Sequence, residues 1–160
     1  MAITPILLNA IWAGLFAAAL AVVLTAPPQA IFPSLFCGFA ARLTRNVLIG
    51  WGASSSAAVV VAATACVLLA LAFASRRRAF SVIAIVTGVL PLGAAVALFN
   101  SVKGILSLPA LKDQALIAAS AQLSANLGTV FTTTLAMVLG IGVGFLIAGV
   151  LGRKLTPRVQ

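Results

Sequence analysis

Apolar residues run along this chain in long blocks and only short polar stretches separate them. The blocks cover roughly residues 3–25, 54–74, 79–101 and 127–151, each about the length a helix needs to cross a hydrocarbon core of ~30 Å at ~1.5 Å per residue. A fifth segment, residues 29–50, is long enough to cross but is patterned differently. On a helical wheel Gly38, Arg42, Arg45, Asn46 and Ile49 share one face, and Phe36, Ala40, Leu43 and Val47 share the opposite one. Such a helix either lies flat at the interface or spans with its polar stripe turned inward. The pattern therefore predicts an all-α, polytopic transmembrane bundle of four or five spans, with short amphipathic or broken helices, as a single domain over residues 1–160.

Breaker residues punctuate the blocks. Pro27 and Pro28 stop the first helix, "GWG" at 50–52 ends the second segment, and Arg76–Arg78 form a tight basic turn between two antiparallel spans. Residues 114–126 read as a short helix of small residues, separate from the final span. The start has no basic n-region and its apolar stretch is too long for a typical signal peptide, so it reads as the first span.

Composition sharpens this picture. Of 160 residues 63% are hydrophobic and 7% charged, histidine is absent, and the mean hydropathy is +1.26; this is the balance of an integral membrane protein. The net charge of +9 arises from ten basic residues against one acid, Asp113. The cations punctuate the spans and no interleaved aromatics offer stacking platforms, which excludes a nucleic-acid reading. The Arg76–Arg78 turn and the tail with Arg153, Lys154 and Arg158 are separated by two spans. They share one side, which the positive-inside bias makes the cytoplasm. The N-terminus is cytoplasmic with four spans and external with five.

Candidate chemistry is sparse. With no histidine, no carboxylate pair, no metal-ligand cluster and no phosphate-binding glycine loop, neither an enzyme nor a cofactor or metal site is expected. Cys37 and Cys66 lie in apolar surroundings and read as packing residues, with no disulfide expected. Three features are informative. Thr87, Gly88, Pro91 and Gly93 interrupt the third block near its middle. Proline there frees carbonyls that hydrocarbon does not satisfy, as in the discontinuous helices that form solute sites in transporters; a simple proline kink is the plainer alternative. Gly140 and Gly144, at four-residue spacing with Gly149 beyond, form a face for close helix packing within this chain or against a neighbour. The hydroxyls of Thr132–Thr134 and Ser124, with Asn126, either line a path or bond back to their own helix. Arg42 and Arg45 either reach headgroups or offer guanidinium groups that bind a carboxylate bidentately.

The order of "GFAARLTR", "AFSVIAIVTGVLPLG", "NSVKGI" and a short basic tail ending "PRV" resembles the small membrane subunit of the threonine/serine exporter family, over about residue 27 to the end. Arg45 matches an arginine of that family; Arg42 has no such match, and the proline-glycine pattern of the third span is thinned to Pro91 and Gly93. The resemblance implies a subunit of a secondary exporter in the bacterial inner membrane. Its solutes would be small carboxylate metabolites, threonine/serine-type amino acids or dicarboxylates, and it would act with a larger membrane subunit. Arg45, Thr87, Pro91 and Gly93 are then the expected solute-binding residues. Two rival readings stand beside it: a non-transporting scaffold that stabilises another integral protein, and a homo-oligomeric channel made by this chain alone.

Overall fold

A computed structural model describes residues 3–73, 79–93, 95–107 and 113–155. The described residues are helical almost throughout: α1 (Ile3–Val23), α2 (Pro28–Gly50), α3 (Ser55–Phe73), α4 (Ala79–Val89), a 3-10 turn at Leu90–Leu92, α5 (Ala95–Ser107) and α6 (Asp113–Leu155). The basic turn at Arg76–Arg78, the loop with Pro109 and the end of the tail with Arg158 lie outside the described residues.

Local chemistry sets the boundaries of the first three helices. α1 closes with Thr25 in the left-handed region at φ 53°, where the Ala26 N–H donates to Ala21 O at 2.9 Å and the Thr25 N–H to Val22 O at 3.0 Å. This pair of bonds is the Schellman arrangement that satisfies the last carbonyls of a helix. Pro27, extended at ψ 147°, then caps α2, with Pro28 at its first position, where the missing N–H costs nothing. Gly52, at φ 90°, repeats the closure for α2, with Ala53 N–H on Leu48 O and Gly52 N–H on Ile49 O, both at 3.0 Å. Ser54 Oγ accepts from the Ala57 N–H at 3.3 Å and caps α3.

Two compact units are distinguished, Met1–Leu92 with Ala136–Gln160, and Gly93–Leu135. In the first, α2 is the common neighbour and packs against α1, α3, α4 and the 3-10 turn. Small residues make these contacts: Ala10, Ala13, Ala17 and Ala21 of α1 are buried, as are Ala30, Ser34, Cys37, Gly38 and Ala41 of α2. A Cβ on Gly38 would stand 2.6 Å from Ala17 Cβ, so the backbones approach as closely as they do because that position carries no side chain. The residues of α1 near its start, Pro5 to Asn9, lie beside Asn46 to Gly50 of α2, so the two helices run antiparallel. The last part of α6 lies along α3, with Gly140 over Val60 and Ala63 and Gly144 over Val67; the matching order of both sets of numbers makes this pair parallel.

The second unit contains α5 and the first part of α6. Ser101 is buried there, whereas Leu98, Phe99, Val102, Ile105 and Leu106 on α5 and Ile117, Leu127 and Phe131 on α6 are exposed.

Large apolar side chains point outward in the first unit too, among them Leu8, Trp12 and Phe16 of α1 and Val138, Leu139 and Leu146 of α6. Alanine and glycine inside with leucine and phenylalanine outside inverts the order that water imposes and is the arrangement hydrocarbon favours. Three helices among the described residues have the length and composition to cross a bilayer: Thr4–Val23, Ser55–Phe73 and Ile117–Val150. The chain is a membrane-embedded helical protein.

Of the two readings of the third block, the structure displays the interrupted one: α4 ends at Val89 and gives way to the 3-10 turn that contains Pro91. The structure departs from the sequence expectation further on. The helix of 114–126 and the span of 127–151 are continuous in α6, since the only breaker between them is Gly128, and one glycine costs only ~1 kcal/mol against alanine.

Candidate solute site at the α4 break

Pro91 lacks the N–H that would continue the α4 ladder, and the tighter 3-10 turn marks where the helix gives out. The carbonyl of Pro91 is taken up from another helix: Arg42 Nη1 of α2 donates to Pro91 O at 3.3 Å. Arg42 is half-buried, and no ion pair is present among the described residues. The chain's one acid, Asp113, stands at the start of α6. A guanidinium thus meets a neutral carbonyl dipole, with no carboxylate paired to it among the described residues. That is a costly arrangement inside a bundle unless a counter-charge or water completes it.

Arg45 lies one turn further along α2 and reaches elsewhere. Its Nη2 donates to Ser55 Oγ at the start of α3 at 3.4 Å, and its Nε is buried with no partner among the described residues. The wheel places both arginines on one face, but the structure brings Arg42, and not Arg45, to the break. Sequence reasoning gave both arginines the same two readings, and the family resemblance favoured Arg45. The signal that singles out Arg42 is the register of α4 on α2, which periodicity within α2 does not carry.

The other expected site residues separate as well. Thr87 is fully buried and its hydroxyl donates to Ile83 O, one turn back in α4, at 2.9 Å, so it packs with no free face. Gly88 is the tight contact beside it: a Cβ there would lie 2.7 Å from Cys37 Cβ and 2.8 Å from Cys66 Sγ. The two cysteines are free thiols that fill the junction of α2, α3 and α4, as their apolar surroundings predict. Gly93 sits in the bend after the 3-10 turn and is the first residue of the second unit.

Of the expected packing glycines, Gly140 and Gly144 are used within the chain. Cβ atoms there would come within 2.5 Å of Val60 O and 2.7 Å of Val67 Cβ. Thr64 of α3 strengthens the contact by donating to Gly140 O at 2.9 Å. Gly149 has nothing within 4 Å and is not part of this face, because nine residues from Gly140 turn the helix by ~180°.

Three hydroxyls along α6 are spent locally. Ser124 donates to Ser120 O at 3.0 Å, Thr132 to Gly128 O at 2.9 Å and Thr134 to Val130 O at 2.8 Å; these back-bonds satisfy the side chains. For these three groups the structure displays the local reading of the stripe.

No protein family, curated protein or solved structure matches the chain, so the functional argument rests on this geometry.

Proposed function

We propose that the chain is the membrane subunit of a secondary exporter for small carboxylate metabolites, of threonine/serine or dicarboxylate type, working with a larger membrane subunit in the bacterial inner membrane. The observation that carries this reading is the contact of Arg42 with the Pro91 carbonyl at the α4 break. A guanidinium beside interrupted backbone is what a carboxylate-binding site inside a membrane needs, because the planar fork offers two parallel donors to one carboxylate. A scaffold gains nothing from holding such a charge in its interior. Arg45, with its unpartnered Nε, adds a second positive group one turn away.

The larger partner follows from what this chain lacks. It has no histidine and one acid, so the side chain that couples transport to an ion belongs to another subunit. Alternating access also commonly sets two bundles or repeats against each other. In this reading α2 crosses the membrane, since it runs antiparallel to α1 and is two residues longer, 23 against 21. Five crossings place the N-terminus outside and the basic tail in the cytoplasm. Arg45 lies at the start of α3 and the Arg76–Arg78 turn follows its end, so the arginine pair belongs to the outward end of the path.

The test is export of threonine, serine and succinate by cells that carry the chain with its partner, comparing Arg42→Ala, Arg42→Lys and Arg45→Ala at equal protein levels. Export should fall at least ~10-fold in Arg42→Ala, the equivalent of ~1.4 kcal/mol, and partly recover in Arg42→Lys. Unchanged export in all three variants leaves scaffolding as the better account.

A further inference from the structure

Arg42 does more at the α4 break than bring charge to it. In an unbroken α-helix the carbonyl of Pro91 would accept from the N–H four residues on, that of Ala95. Here Ala95 only begins α5, and the first N–H groups of a helix have no partner within it. The donor to Pro91 O is instead Arg42 Nη1, at 3.3 Å. A side chain of α2 therefore stands where a continuous ladder would put a backbone amide.

Proline alone does not require the gap. It withdraws its own N–H, and a spanning helix tolerates that as a kink while its carbonyl stays able to accept from the next turn. The stretch to be wound is short, since the 3-10 turn ends at Leu92 and α5 starts at Ala95. Opposed effects set the balance. A cation at the C-terminal end of α4 is favoured by the helix dipole, an advantage that vanishes once α4 no longer ends there. Against it, 3.3 Å lies past the ~2.7–3.2 Å of a good N–H···O bond, and winding gives partners to the orphan N–H groups of α5. Val89 and Leu92 are seated in the core, so the change falls on the residues after them.

We infer that the joint between α4 and α5 is a two-state element. Arg42 holds it broken by occupying the Pro91 carbonyl; drawing the guanidinium away lets the Ala95 N–H take that carbonyl and winds Ala79 to Ser107 into one proline-kinked helix. A carboxylate received on both Nη atoms withdraws Nη1 from Pro91 O, so solute occupancy and helix continuity are linked. The winding rests on the contact alone, and its control by a carboxylate rests on the export reading.

Proline is followed by leucine once in the chain, at Pro91–Leu92. Isotope labels on proline carbonyl carbons and leucine nitrogens therefore isolate one carbonyl signal, read by solid-state NMR of the full chain in lipid bilayers. Loss of a donor alone moves a carbonyl carbon upfield, whereas a helical turn with its backbone bond moves it downfield. Arg42→Met, which keeps the apolar stem and removes the donor, should move the signal downfield, and Arg42→Ala should do the same. Arg45→Ala, which removes a cation that does not touch Pro91, should leave it in place. Acetate should move the parent signal downfield to saturation and have no effect in Arg42→Met.

An upfield or unchanged signal in both Arg42 variants overturns the joint and makes the contact a passive cap. So does an equal downfield shift in Arg45→Ala. A downfield shift in the Arg42 variants without a response of the parent to acetate overturns control of the joint by solute. Export lost in Arg42→Ala with an unchanged Pro91 signal removes the joint and keeps the export reading; a downfield signal with export intact does the reverse.

Discussion

The C-terminal half of α2 and the length of α6 both carry polar side chains in apolar helices, and they dispose of them in opposite ways. On α2 Thr44 folds back onto Ala40 O, but the two arginines are long and reach other elements: Arg42 to the Pro91 carbonyl and Arg45 to Ser55. On α6 they are short and fold back, as Ser124, Thr132 and Thr134 do onto their own carbonyls. A hydroxyl satisfied one turn away is compatible with lipid on every side, whereas a guanidinium bonded to another element ties its helix to particular neighbours. Polarity alone therefore does not mark a solute path; the reach of the side chain and the distance to its partner do.

The largest effect expected from this contrast concerns α6, whose tertiary grip comes from missing side chains rather than from its hydroxyls. Gly140→Leu would drive a side chain into Val60 O and Ala63 and should cost ~3 kcal/mol. Gly142→Ala, with nothing within 4 Å, should stay within ~1 kcal/mol. Thermal melting of the two purified variants checks the pair, and equal losses would show that the α3–α6 contact is not a glycine contact.

A middle-sized effect belongs to α2. Arg42→Ala removes the donor to Pro91 O and should destabilise by ~1–2 kcal/mol, less than the gross value of a charged hydrogen bond because the half-buried charge departs with it. If the variant melts higher than the parent by more than ~1 kcal/mol, the guanidinium is held at a net cost, which sharpens its reading as a functional group.

The smallest effects return to α6. Thr132→Val and Thr134→Val each delete only a back-bond and should change stability and export by no more than ~0.5 kcal/mol. Thr64→Val, which loses the cross-helix bond to Gly140 O, should cost ~1 kcal/mol. Equal effects from Thr64 and Thr132 would erase the distinction between reaching across and reaching back.

Much of the helix layout was legible before the structure. Pro27, Pro28 and the 50–52 stretch end helices by backbone chemistry that any context respects, so α1 to α3 start and stop within two residues of the expected bounds. The break at Pro91 was legible for the same reason. Arg42 was not, because the choice between two arginines three residues apart depends on where α4 sits along α2, a contact between residues 49 apart in sequence. The exclusion of Gly149 from the packing face, by contrast, follows from helix geometry alone.

The lengths of α1 and α3 bear on the kind of bilayer this protein suits. Their apolar stretches, Thr4–Val23 and Ser55–Phe73, are 20 and 19 residues, ~30 and ~28 Å long, against ~30 Å of hydrocarbon in an average bilayer. Neither has surplus length to absorb by tilting, so a bilayer thickened by longer acyl chains would leave both helices short, and that shortfall is hydrophobic mismatch. These two helices fit the chain to a membrane of average thickness or less.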